Sequence, residues 1–101
     1  MPFGLSPKYI DKINNIFRQY ATIDKVIIYG SRAKGNFKES SDIDLTLLGK
    51  LDLKSINKIE QKLDDLLLPN KFDISNYYQI QNKELLDHIS RVGQVFYSKN
   101  D

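Results

Sequence analysis

A chain of 101 residues has room for one small domain around one core, and none for a second lobe that would grip a bulky substrate. Its 41% hydrophobic and 28% charged residues are the proportions of a soluble globular domain rather than a disordered or fibrous one, and a net charge of +2 is too small to argue for a general nucleic-acid surface. The absence of cysteine excludes disulfides and thiolate metal sites. With no basic-plus-apolar leader and no apolar run near ~18 residues, the sequence reads as cytoplasmic and without a membrane span.

Ser6-Pro7 has the form of an N-cap followed by proline in the first helical position, and Tyr9, Ile10, Ile13, Ile16, Phe17 and Tyr20 then recur at helical spacing, predicting a helix near 7–20. Lys25-Val26-Ile27-Ile28-Tyr29, stopped by Gly30, reads as a buried strand running into a tight turn. A polar stretch over 31–41 leads to a second strand from Asp42 to Leu48, closed by Gly49. Leu53, Ile56, Ile59, Leu63, Leu66 and Leu67 mark an amphipathic helix ended by Pro69-Asn70. Lys71–Ser75 is a third short strand carrying Asp73. Asn82 is placed to cap a last helix built on Leu85, Leu86, Ile89 and Val92, with Gly93 at C′ and Val95-Phe96-Tyr97 as the final strand. Strands alternating with helices predict an α/β (α+β) fold, a mixed sheet of about four strands flanked by helices.

The chemistry is concentrated between Gly30 and Asp44. A strand turns alternate side chains to one face, so Asp42 and Asp44 share a face while Ile43, Leu45 and Leu47 take the other. Two carboxylates side by side repel unless a cation lies between them, which points to a divalent metal.

Gly30-Ser31, ten residues and then Asp42-Ile43-Asp44, with a further Asp73 on a later strand, resembles the signature of the DNA polymerase β-like nucleotidyltransferase superfamily. The short chain is similar to its minimal nucleotidyltransferase (MNT) domain proteins, over roughly 24–97, within a single domain spanning 1–101. The resemblance implies that Asp42, Asp44 and Asp73 are the catalytic and metal-binding residues. Transfer of a nucleotidyl group is an in-line displacement in which charge develops at both the entering and leaving oxygens, and two Mg²⁺ ions ~4 Å apart can neutralise it. Asp42 and Asp44 would bridge the ions, and Asp73 would complete the site and activate the acceptor hydroxyl. For the nucleotide, Gly30 permits close backbone approach, Ser31 offers a hydroxyl and an N–H, Arg32 a guanidinium fork, and Lys34 a mobile charge. Gly35 lets the loop turn away.

Stand-alone proteins of this type resemble the MNT antitoxins paired with a helical HEPN toxin, which implies an adenylyltransferase that moves AMP from ATP to a tyrosine of its HEPN partner. The other readings are an antitoxin that acts by docking with little catalysis, and a subunit of a small-molecule transferase of the aminoglycoside type. Exposed helix faces leave room for a homodimer or a partner. His88 is assigned no role, Tyr77 and Tyr78 read as packing residues before base-stacking ones, and Lys54, Lys58 and Lys62 form a solvated helix face.

Overall fold

The computed structural model describes residues 1–99. Ser6 accepts a hydrogen bond from the Tyr9 N–H at 3.2 Å and starts α1, Pro7–Phe17, with proline in the first turn as the sequence predicts. The helix ends three residues earlier than its apolar spacing suggests, and Tyr20 lies beyond it. Strand β1, Ile23–Tyr29, runs into the short helix α2, Ser31–Lys34, and Gly35 turns the chain away with φ of 90°. The polar stretch therefore holds a helical turn that its composition hid.

After it come β2, Ile43–Gly49, α3, Leu53–Asp64, and β3, Phe72–Asn76. Asp52 caps α3 through the Ser55 N–H at 2.8 Å. Leu66 and Leu67 fall outside α3, and Leu67 is 87% exposed with φ of 56°, so the apolar spacing overran the helix. A 3-10 turn, Tyr77–Gln79, leads to α4, Lys83–Val92, capped by Asn82, and β4, Gln94–Ser98, closes the order.

The sheet has the order β3-β2-β1-β4. β1 pairs antiparallel with both β2 and β4, whereas β2 and β3 are parallel because α3 carries the chain back between them. Side-chain alternation gives the sheet two unlike faces. Val26, Ile28, Ile43, Leu45 and Leu47 are fully buried on one face and join Ile13, Phe17, Ile59 and Leu63 of α1 and α3 in the core. Each such side chain contributes roughly 1.5–3 kcal/mol of transfer free energy.

The other face carries Ile27, Tyr29, Asp44, Thr46, Asp73 and Ser75, and α4 covers its β1 side. Gly93 makes that approach possible. A β carbon there would overlap the Ile89 carbonyl oxygen and lie 2.8 Å from Ile27 Cγ2. Gly93 follows α4 as the sequence predicts, and its extended backbone, with φ of −63° and ψ of 145°, shows that it serves close packing rather than a left-handed turn.

Candidate active site

Asp44 pairs with Tyr29 across β1–β2 and with Asp73 across β2–β3. Three polar side chains thus stand in a row on one face of three neighbouring strands, ~4.8 Å from strand to strand. Asp44 is half-buried and Asp73 exposed. Burial first, then the charges of Asp73 and Asp42, push the Asp44 carboxyl up to about 6. The Tyr29 phenol is raised by burial and by the neighbouring charge of Asp73, with Ser75 acting in the opposite direction. Ser75 Oγ donates to Thr46 Oγ1 at 2.9 Å, tying β3 to β2 beneath the carboxylates.

Asp42 lies one residue before β2 and is exposed. Its charge reaches Asp44, yet among the described residues no three carboxylate or imidazole groups converge into a complete cation cage. The sequence placed Asp42, Asp44 and Asp73 together; the structure brings Asp44 and Asp73 into register and leaves Asp42 at the rim. The donor set fits a hard divalent cation, because the carboxylates crowd one another and the ion pairs among the described residues, Arg91–Asp87 and Lys99–Asp24, involve none of them.

Gly30 sits directly against this row. Its φ of 75° and ψ of −157° belong to a region that essentially only glycine occupies, and a β carbon there would overlap Asp44 Oδ2. Its carbonyl accepts the Lys34 N–H at 3.1 Å and its N–H donates to His88 Nε2 at 3.0 Å. Ser31 is half-buried at the start of α2 and Lys34 is exposed.

Arg32 does not have the place expected of it. Only 3% exposed, it donates to the carbonyls of Phe3 (2.9 Å), Glu39 (3.2 Å) and Ser41 (3.1 and 3.2 Å), and its guanidinium lies 5.1 Å from the centre of the Phe37 ring. The fork expected to hold phosphate is occupied in holding the loop that leads to Asp42. Nothing in the local sequence signalled this, since the carbonyls it binds come from residues 3, 39 and 41. His88 is the converse case. A lone histidine beside an apolar position carried no signal, and its contact spans 58 residues of chain. Tyr78 is 68% exposed on the 3-10 turn rather than packed, and Lys54 and Lys58 are solvated as expected, whereas Lys62 is half-buried, donating to Gln19 Oε1 at 2.7 Å and lying 4.9 Å from the centre of the Tyr20 ring.

Solved structures with this fold include a chain of a toxin–antitoxin complex with AMP-PNP. It shares 22% identity, with a TM-score of 0.73 and coverage of 89% of this chain and 73% of that one. A chain of the complex of tri-AMPylated Shewanella oneidensis HEPN toxin with MNT antitoxin gives 19%, 0.68, 92% and 72%. A chain of the MntA-HepT toxin–antitoxin gives 18%, 0.68, 94% and 74%. No curated protein sequence matches the chain. The fold is that of a nucleotidyltransferase. The family model for polymerase beta nucleotidyltransferases matches residues 11–101, and the chain belongs to that family.

Proposed function

We propose that this chain, acting as a single transferase domain, moves AMP from ATP to a hydroxyl acceptor, a tyrosine of a HEPN partner protein, forming the acceptor O–Pα bond and breaking the Pα–O bond to pyrophosphate, which is released. The observation that carries this reading is the in-register pair Asp44–Asp73 beside a glycine whose missing side chain leaves room at Asp44 Oδ2. Magnesium bound by these carboxylates supplies charge neutralisation at the α-phosphate and at the entering and leaving oxygens. Asp44 and Asp42 hold the metal side of the triphosphate. Asp73, on the sheet's outer strand, takes the acceptor hydroxyl's proton. Gly30, Ser31 and Lys34 receive the phosphates, the first by close backbone approach, the second by hydroxyl and N–H, the third by charge.

The reading of the acceptor as a protein is supported by the exposure of Asp73, which with the half-buried Asp44 lies outside the cleft of about 290 Å³ between α1 and β4. The pair stands on an open sheet face that a docking macromolecule would close. The fold neighbours that are toxin–antitoxin complexes, one with AMP-PNP and one with an AMPylated toxin, support nucleotide and partner alike.

The test is label transfer from α-labelled ATP with Mg²⁺ to a co-expressed, co-purified HEPN-family protein. Transfer onto a partner tyrosine is expected, and abolition by Asp42→Asn with Asp44→Asn. Undiminished transfer by the double variant would refute the assignment. Protection of cells by that variant would instead favour docking alone.

A further inference from the structure

His88 lies on α4, half-buried, with its ring edge-on to that of Tyr29 at a centroid separation of 6.1 Å and an interplanar angle of 81°. Its Nε2 accepts the Gly30 N–H at 3.0 Å. A backbone N–H can only donate, so Nε2 carries the lone pair and the imidazole proton resides on Nδ1. The contact fixes the tautomer as well as the ring.

Gly30 is consequently held at both polar groups, its N–H by α4 and its carbonyl by the Lys34 N–H of α2. A second tether comes from the same part of the chain. Gln94 Nε2, at the start of β4, donates to the Ala33 carbonyl at 2.9 Å. The α4–β4 unit therefore grips the turn from two sides, while the turn's own sequence would leave a glycine free to take many conformations.

We infer that His88 is a positioning residue, which fixes the Tyr29–Gly30 peptide and through it the turn into Ser31 that receives the nucleotide's phosphates. This rests on the transferase reading above. His88 touches no reacting atom; it acts through Gly30, by removing the entropy that phosphate binding would otherwise have to overcome.

The experiment uses the intact chain with His88→Leu, which deletes the acceptor, and His88→Gln, whose side-chain oxygen can replace it. Without nucleotide, the Gly30 amide proton should move upfield and exchange faster in His88→Leu, and return toward the wild-type position in His88→Gln. In titrations with Mg²⁺-ATP, His88→Leu should weaken binding roughly tenfold, the loss of one hydrogen bond, with His88→Gln restoring most of it. In label transfer, the KM for ATP should rise for His88→Leu while kcat stays near that of wild type.

A nucleotide-binding wild type whose affinity is unchanged by His88→Leu overturns the positioning role alone. So does a His88→Gln chain as weak as His88→Leu despite a restored Gly30 amide. A wild type that binds no nucleotide sinks the transferase reading and this inference with it.

Discussion

Gly30 and the carboxylate of Asp44 approach so closely that a β carbon on the first would displace the second. Gly30→Ala is therefore expected to do two kinds of damage. The backbone region costs an L residue about 1–3 kcal/mol, lowering the urea midpoint, and the displaced carboxylate removes label transfer. A Gly30→Ala chain with wild-type stability and transfer would contradict the geometry.

The Asp44 carboxyl, raised to about 6 from 3.8, gives stability a defined pH dependence. The folded state binds this proton more tightly than the unfolded state, so the contribution of Asp44 to stability falls as pH rises from about 4 to 6 and stays unfavourable above that range. Allowing for solvent screening at a half-exposed group, the penalty at neutral pH is about 1–2 kcal/mol. Thermal melts without divalent cation should show Asp44→Asn more stable than wild type at pH 7.5 and level with it near pH 4. Mg²⁺ should raise the melting temperature of wild type more than that of the variant, because the ion offsets the repulsion. Label transfer needs the ionised carboxylate, and because bound Mg²⁺ favours that form, its decline on acidification should move to lower pH as Mg²⁺ is raised.

Arg32 is satisfied by backbone carbonyls of residues 3, 39 and 41 instead of by an acid. Arg32→Ala leaves the Phe3 carbonyl without its donor and the Glu39 and Ser41 carbonyls with Asn70 Nδ2 alone, and it removes a buried side chain, costing about 2 kcal/mol or more in chemical denaturation. Arg32→Lys should recover only part, since an ammonium cannot span three separated carbonyls. In both variants limited proteolysis should cut within 35–41, where the wild type resists. If instead stability is retained and nucleotide affinity alone is lost, Arg32 binds phosphate after all.

Gly93→Ala tests the seating of α4. The added methyl meets the Ile89 carbonyl and Ile27 Cγ2, so α4 must lift from β1, at a cost of about 1–3 kcal/mol read from the urea midpoint. The Gly30 amide should lose protection in the same variant, because His88 rides on that helix. An unchanged midpoint would show that the helix has slack.

The elements that were legible in the sequence are those where local chemistry and tertiary packing agree. Ser6-Pro7 and Asn82 cap the helices they were expected to cap, and Ile43, Leu45 and Leu47 are buried while Asp44 turns the other way. The pairing of Asp44 with Asp73 was legible only through family resemblance, since strands this short do not show whether they run parallel. The contacts of Arg32 and His88 were not legible for one physical reason. They are made with partners distant in the chain, and a residue's type and immediate neighbours carry no trace of them. Leu67 erred oppositely: an apolar side chain continued a helical period after the helix had ended.

The parallel placement of β3 beside β2 has a consequence for how this protein comes into being. Gly30 and the first two acids leave the ribosome within fifteen residues of one another, whereas Asp73 arrives 29 positions after its partner Asp44. A chain that stops within α3 has the Gly30 turn and Asp44 but lacks Asp73. The acidic pair therefore forms only when the third strand docks, and the hydrogen bond from Gly30 to His88 forms later still, with α4.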